Sequence, residues 1–324
     1  MMKNELHCAK LMRHGTESEG LSMKDLQEYI KCPKADTHNH LNLGMHYDSY
    51  LQWSGSPIPD FPRSMDGLDE MHEIISKYTR PRCRTAEDVV SLVDMSIQDA
   101  IEDGVTVLEG SIDIGFVIHF KKDTELFLKT VSGLVDKYAG KIDIRPELGL
   151  GKTFDKDKIS RWAPELMDSG VFKSIDLYGP EIEDGIDEFK YLFEKAERLG
   201  LKKRAHVGEF SDAKSVRRFV EFFDLHEVQH GIGAAQDESV LKFLADRKVR
   251  CNVCPWSNVM LGAVTSLKEH PVKKMLDAGV SVSIGTDDLL FFGKTVSEQI
   301  YDLVRESVIT PQDADRLLNA GLIS

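Results

Sequence analysis

Short apolar, β-branched runs recur along the chain, each followed by a longer stretch with the periodicity of an amphipathic helix. This alternation restricts the fold more than any other feature of the sequence. The runs fall at residues 35–38, 105–111, 142–150, 172–177, 204–207, 227–230, 249–254 and 280–285. Helical patterns lie between them at 86–102, 124–138, 187–199, 213–223, 238–245 and 271–278, the last stopped by Gly279. Eight strand-then-helix units imply parallel strands with crossover helices. A chain of 324 residues is long enough to close them into one (β/α)8 TIM barrel. A doubly wound open sheet has the same periodicity and is the rival. We expect an α/β fold, a single barrel over residues 34–324, preceded by an N-terminal extension, 1–33, with a helical pattern at 23–30. The one irregular segment, 42–64, contains three prolines and follows the first strand, where a long loop would cover the barrel mouth.

Charge narrows the partners. Lys and Arg number 41 against 54 Asp and Glu, a net charge of −13. That sign repels polyanions, so neither nucleic acid nor an anionic membrane is an expected partner, and a small molecule is. No run approaches the roughly 20 apolar residues of a membrane helix. Residues 1–10 carry Lys, Asn, Glu and His where a signal peptide has an apolar core. Five cysteines (Cys8, Cys32, Cys83, Cys251 and Cys254) are odd in number and thinly spread. They fit reduced thiols, and a cytoplasmic location is the expectation.

Polar residues of unusual type close several strands. His38-Asn39-His40 ends the first, His206-Val207-Gly208-Glu209 the fifth, His230 the sixth and Asp287-Asp288 the eighth. In a parallel barrel these positions converge on the C-terminal rim, where barrel enzymes place their chemistry. So many ionisable groups in one partly buried place are costly unless a cation or substrate organises them. Residues two apart on a strand point the same way, so His38 and His40 can both face the mouth. With His206 and Asp287 they form a donor set suited to a catalytic Zn²⁺ with an open position, which lowers the pKa of a bound water. His230 could orient that water or take its proton, and Glu209 could protonate the substrate.

These segments resemble the adenosine deaminase branch of the amidohydrolase superfamily. The likeness runs from about Cys32 to Gly293. Lys34 to Leu41 resembles K-x-x-x-H-x-H-L; Asp176 to Glu181 resembles D-L-x-G-x-E; His206 to Glu209 resembles H-A-G-E; and Gln229 to Gly233 resembles G-H-G. Cys254-Pro255-Trp256-Ser257-Asn258 resembles C-P-x-S-N, and Thr286-Asp287-Asp288 resembles T-D-D. The resemblance implies one Zn²⁺ per chain on His38, His40, His206 and Asp287. It implies that Glu209 protonates purine N1, that His230 steers the attacking water to C6, that Asp288 contacts N7 and that the Gly179 N–H contacts N3. The products would be a 6-oxopurine and ammonia. Two departures stand out. The family usually has Asp where this chain has Asn42, facing the sugar hydroxyl. Strand two commonly reads E-x-R-x-S-P, and here it reads Glu109-Gly110-Ser111-Ile112-Asp113.

Other motifs receive ordinary roles. Arg13-His14-Gly15 resembles a histidine-phosphatase signature but lacks the preceding apolar strand. Cys251 and Cys254, three apart, are expected to be buried small hydrophobes on strand seven. Leu201 to Arg204 reads as a solvated basic end. His7, His46, His72, His119, His226 and His270 are expected to be structural. Alternatives to an aminopurine deaminase are a different hydrolase of the superfamily, acting on a cyclic amide or a phosphoester, or a non-catalytic purine-binding barrel. A two-metal hydrolase would need a bridging Lys or Glu on strand four, where the chain offers Lys173 at the start and Asp176 near the end.

Overall fold

The computed structural model describes residues 23–59, 64–181 and 184–323. The histidine-phosphatase-like Arg13-His14-Gly15, with His7 and Cys8, lies outside them. Eight strands run parallel in sequence order: β1 Lys34–His40, β2 Val105–Asp113, β3 Asp143–Gly151, β4 Ser174–Tyr178, β5 Lys202–Val207, β6 Glu227–His230, β7 Arg250–Val253 and β8 Ser281–Ile284. Helices cover the outside, among them Ala86–Glu102, Thr124–Lys137, Lys190–Leu199, Ala213–Phe223 and Glu238–Asp246. This is the (β/α)8 barrel expected from the alternation. No described helix is long and apolar enough to cross a membrane.

The last seam closes differently from the others. β1 and β8 share one parallel bridge, Asn39 with Asp287, just beyond the end of β8. The Asp287 N–H donates to the His38 carbonyl at 2.7 Å, and the His40 N–H donates to the Asp287 carbonyl at 3.3 Å. Side chains complete the seam: the buried Asp36 carboxylate accepts from the Thr286 hydroxyl (2.5 Å), the Thr286 N–H (3.0 Å) and the Asn39 amide (3.1 Å). Gly285 is required here by contact, since a Cβ on it would lie 2.4 Å from the His38 Cβ. The closure therefore presses directly on a candidate metal ligand.

Three sequence expectations need correction. The segment 42–64 is not wholly irregular, because Tyr47–Ser54 is a helix, capped by Gly55 in the left-handed region at φ 65°. The apolar residues Tyr47, Tyr50 and Trp53 give it a face to pack, and Tyr50 is buried. Cys254 lies past the end of β7 as the N-cap of helix Pro255–Met260, although it and Cys251 are both buried, as expected. The basic run lies inside β5, and its last two residues are not solvated. Arg204 is 1% exposed and Lys203 is 2% exposed. Lys203 reaches Glu197 and Asp224, at 2.7 and 3.0 Å.

Arg204 faces the barrel interior and forms the hub of a buried charge network. It lies 2.5 Å from Glu109 on β2, 2.8 Å from Glu147 on β3 and 2.7 Å from Glu227 on β6. Arg250 on β7 joins Glu109 at 2.5 Å and Glu227 at 2.8 Å. Burial opposes ionisation of Glu109 and Glu227, but Arg204, Arg250 and Lys202 together outweigh it and hold both carboxyls below their ordinary range. Such a network costs desolvation energy and repays it only while every partner is present. Replacing Arg204 by Met should therefore lower the unfolding free energy by about 3–5 kcal/mol, read by urea denaturation. A loss under about 1 kcal/mol would show that the hub contributes little.

Candidate active site

The C-terminal ends of the strands gather every site residue expected from the sequence. His40, Asn42, Gly179, His206, Glu209, His230, Asp287 and Asp288 line one cavity of about 610 Å³, and His38 lies buried beside them. That volume falls within the range of small-molecule sites. Ring centroids of His38 lie 5.4 Å from His40, 4.6 Å from His206 and 4.8 Å from His230. Asp287 Oδ1 is 3.7 Å from His38 Nε2 and 3.5 Å from His40 Nε2. Its other oxygen accepts from the Ser257 hydroxyl at 2.6 Å.

Backbone geometry aims these groups. His230 and Asp287 both have positive φ, 63° and 59°. Such values are uncommon for residues other than glycine and persist only where the surroundings enforce them. The turn at Asp287 sends its carboxylate among the imidazoles, while Asp288, next in the chain, lines the cavity. Glu209 follows Gly208 in a turn fixed from below. The Glu181 carboxylate accepts the N–H groups of Glu209, Phe210 and Ser211 at 2.8, 3.2 and 2.7 Å.

Burial sets the protonation states. It pushes His38 well below the ordinary histidine value, and the neighbouring His206, His230 and His40 push it further. His206 falls to about 3, through burial and then His40. His230 falls to about 4 through burial, although Asp287 opposes the fall. These are neutral imidazoles, the form that ligates metals. Burial, with Asp287 and Glu181 behind it, drives Glu209 well above the usual carboxylate range, so it carries a proton. Burial and Asp287 do the same to Asp288.

The donor set fits a divalent metal. Both His38 nitrogens are buried without a hydrogen-bond partner, an arrangement that costs energy unless something coordinates them. The potential ligands form overlapping groups: His38 with His206 and His230, His40 with Asp287 and Asp288, and Asp287 both with His38 and Cys254 and with Glu209 and His230. Within each, one ligand atom per residue lies within 4.8 Å of the others. Behind His206, Asp176 Oδ2 is 2.9 Å from Nδ1 without hydrogen-bond alignment, leaving both carboxylate oxygens unpartnered. An outer carboxylate beside a histidine in this way orients the ring of a metal ligand. Lys173 lies before β4 and donates to the Gly170 carbonyl on an exposed turn, so it does not bridge two metals.

The chain matches the adenosine deaminase family model over residues 33–322. It belongs to that family. It is 59% identical to a "putative adenosine/adenine deaminase" of Treponema pallidum over 296 residues, 91% of this chain and 99% of that one. Among solved structures, the adenine deaminase of Arthrobacter aurescens superposes with a TM-score of 0.78 at 20% identity, covering 90% of this chain and 93% of that one. An amidohydrolase from Burkhoderia ambifaria, solved with bound Zn, gives 0.77 at 19% identity, covering 96% and 89%. These two likenesses speak to the fold.

Within this family member, several residues near the site carried no role from the sequence. Asp113, at the end of β2, lines the cavity, its carboxyl raised to about 6 by burial. His72, His119 and Arg80 line the outer wall, so His72 and His119 are not confined to structural places. Asn258 donates to Glu209 at 2.9 Å. Asp113 could have been found, since it stands at a strand end like the histidines; Asn258 follows a strand and lies on a helix. Glu181 offers a direct test. Replacing it by Ala leaves three N–H groups without their acceptor, so stability should fall by at least about 1–3 kcal/mol. A change within about 0.5 kcal/mol in urea denaturation, the size of an ordinary surface substitution, would show that Glu181 does not hold the turn.

Proposed function

We propose that this chain is a zinc-dependent hydrolytic deaminase of 6-aminopurine nucleosides or related aminopurines, with one Zn²⁺ per chain held by His38, His40, His206 and Asp287. One observation carries the reading: the neutral imidazoles of His38 and His206, with buried nitrogens that lack hydrogen-bond partners, stand with Asp287 beside a protonated carboxylic acid, Glu209. Zn²⁺, when bound, supplies the Lewis acidity that lets water lose a proton near neutral pH. The chain's own groups do the rest. Glu209 delivers its proton to N1 as C6 gains its oxygen, which breaks the ring's aromaticity without building charge on N1. His230, whose Nε2 lies 3.6 Å from Glu209 Oε2 and 3.9 Å from Asp287 Oδ2, orients the attacking water. Protonated Asp288 donates to N7, and the Gly179 N–H meets N3. Water and the aminopurine leave as a 6-oxopurine and ammonia. The catalytic unit is residues 34–324. Residues 1–33 are assigned to an N-terminal extension; among its described residues, helix Leu26–Lys31 sets Tyr29 edge-on against Tyr301.

His206→Ala should lose metal and activity together while the fold persists, by metal analysis and circular dichroism. Glu209→Gln should keep the metal and lose at least about 10²–10⁴ in turnover. Full activity after exhaustive chelation would end the zinc reading, and metal loss in Glu209→Gln would make Glu209 a ligand.

Asn42 bears on what lies beyond the purine. It lines the cavity two residues past His40, where a carboxylate would accept a charge-assisted bond from a sugar hydroxyl. The neutral amide tolerates an absent or anionic group there, so a free 6-aminopurine, a modified nucleoside or a nucleotide should be processed better than adenosine. Asn42→Asp should shift relative kcat/KM towards adenosine by roughly 1–3 kcal/mol. A wild-type preference for adenosine that Asn42→Asp leaves unchanged would refute this.

A further inference from the structure

Behind the cavity runs a chain of hydrogen bonds whose direction is fixed at one end. The backbone N–H of Val272, the first residue of helix Val272–Asp277, donates to His270 Nδ1 at 3.2 Å. A peptide N–H is only a donor, so Nδ1 must accept, and a neutral His270 carries its proton on Nε2. The same bond leaves no proton on Nδ1, so the ring is neutral; burial, followed by His230, lowers its pKa to about 3 in the same direction. Nε2–H then donates to Asn258 Oδ1, 3.2 Å away. That contact decides which way the amide faces. Its nitrogen points inward, with one proton to Glu209 Oε1 at 2.9 Å and the other to His230 Nδ1 at 3.1 Å. Turned over, the amide would set its own N–H groups against the His270 N–H and offer Glu209 and His230 no donor.

Resting on the deaminase reading above, we infer that His270 and Asn258 are positioning residues that hold His230 in the Nε2–H tautomer and place the Glu209 carboxyl for proton delivery. With Nδ1 occupied as an acceptor, the His230 proton sits on the nitrogen facing Glu209 Oε2 and Asp287 Oδ2. The same amide holds one Glu209 oxygen, so the acid and the orienting imidazole are set by a single group. Neither positioning residue touches the substrate: Asn258 and His270 are buried, at 0% and 3% exposure, and neither lines the cavity. The signal in the sequence is a histidine two residues ahead of a helix's first N–H.

The deciding measurement needs no loss of function. In the zinc-loaded, 15N-histidine-labelled enzyme, with the His230 ring assigned by its disappearance in His230→Asn, the nitrogen shifts should show a protonated Nε2 and a bare Nδ1. A protonated Nδ1 would overturn the proposal, whether or not the protein deaminates purines. Kinetics give the second arm. His270→Phe should lower kcat about 10-fold to 100-fold, the usual cost of removing such a supporting partner, with KM little changed. His270→Gln, which can again donate to Asn258, should recover most of the loss. A kcat for His270→Phe within about twofold of wild type would also overturn it. Should His270→Phe fail to fold, His270→Gln decides against His270→Leu. Absence of any aminopurine turnover with the expected His230 tautomer would instead count against the deaminase reading alone.

Discussion

Arg204 is the constraint on which the rest of the barrel rests. Its guanidinium ties β5 to carboxylates on β2, β3 and β6, and Arg250 extends the tie to β7. Arg204 and His206 are two apart on one strand, so they point to the same interior, one below the other. Strand register follows the same charges: Arg204 pairs with Glu227 across β5 and β6, and Glu227 with Arg250 across β6 and β7. A slip of one residue would turn these charged groups into the helix layer, away from their partners. The heights of β2, β3, β5, β6 and β7, and so of the rim residues they carry, are thereby set from beneath.

The two ends of the barrel treat polar groups in opposite ways. At the base each buried carboxylate meets a cation. Around the site, both nitrogens of His38, Nδ1 of His206, both oxygens of Asp176 behind it and one oxygen of Asp288 are buried without hydrogen-bond partners. A folded chain keeps few such groups, because each costs desolvation without return. Their concentration around one cavity is what a site looks like when its ligands supply the missing interactions. The neutral histidines and protonated acids are the same fact expressed as protonation: in a place this dry, the uncharged form of each group is the cheaper one.

Much of this was legible in the sequence, for a physical reason. Strand ends in a parallel barrel are topologically equivalent, so polar residues that close apolar runs, such as His38, His206, His230 and Asp287, declare their destination without knowledge of packing. What the sequence hid depends on packing. Helix Lys156–Asp168 was not picked out; it carries Pro164 within it. Arg204 looked like part of a basic surface run because its three carboxylate partners lie 23 to 95 residues away. His270 and Asn258 stand on no strand end, and their importance comes from hydrogen-bond direction, which no periodicity encodes. Asn42, by contrast, was visible as a departure from the family pattern, though only the structure shows that it faces the same cavity as Asp113.

Adjacent carboxylates at one strand end present a final problem, since Asp287 and Asp288 repel one another and share a buried place. The backbone resolves it. An extended strand would alternate the two side chains between the barrel interior and the helix layer. The positive φ of Asp287 breaks that alternation, so Asp287 joins the imidazoles while Asp288 still reaches the cavity. Asp is among the residues for which this conformation costs least. The strain is met by the two backbone hydrogen bonds that seal β1 to β8 through the same residue. Because the bend that separates the carboxylates also closes the barrel, the charge arrangement cannot relax without opening the seam. Asp287 remains free to ligate, while burial, with the Asp287 charge behind it, keeps Asp288 protonated as a donor. One turn of backbone thus assigns two identical side chains to different chemistry.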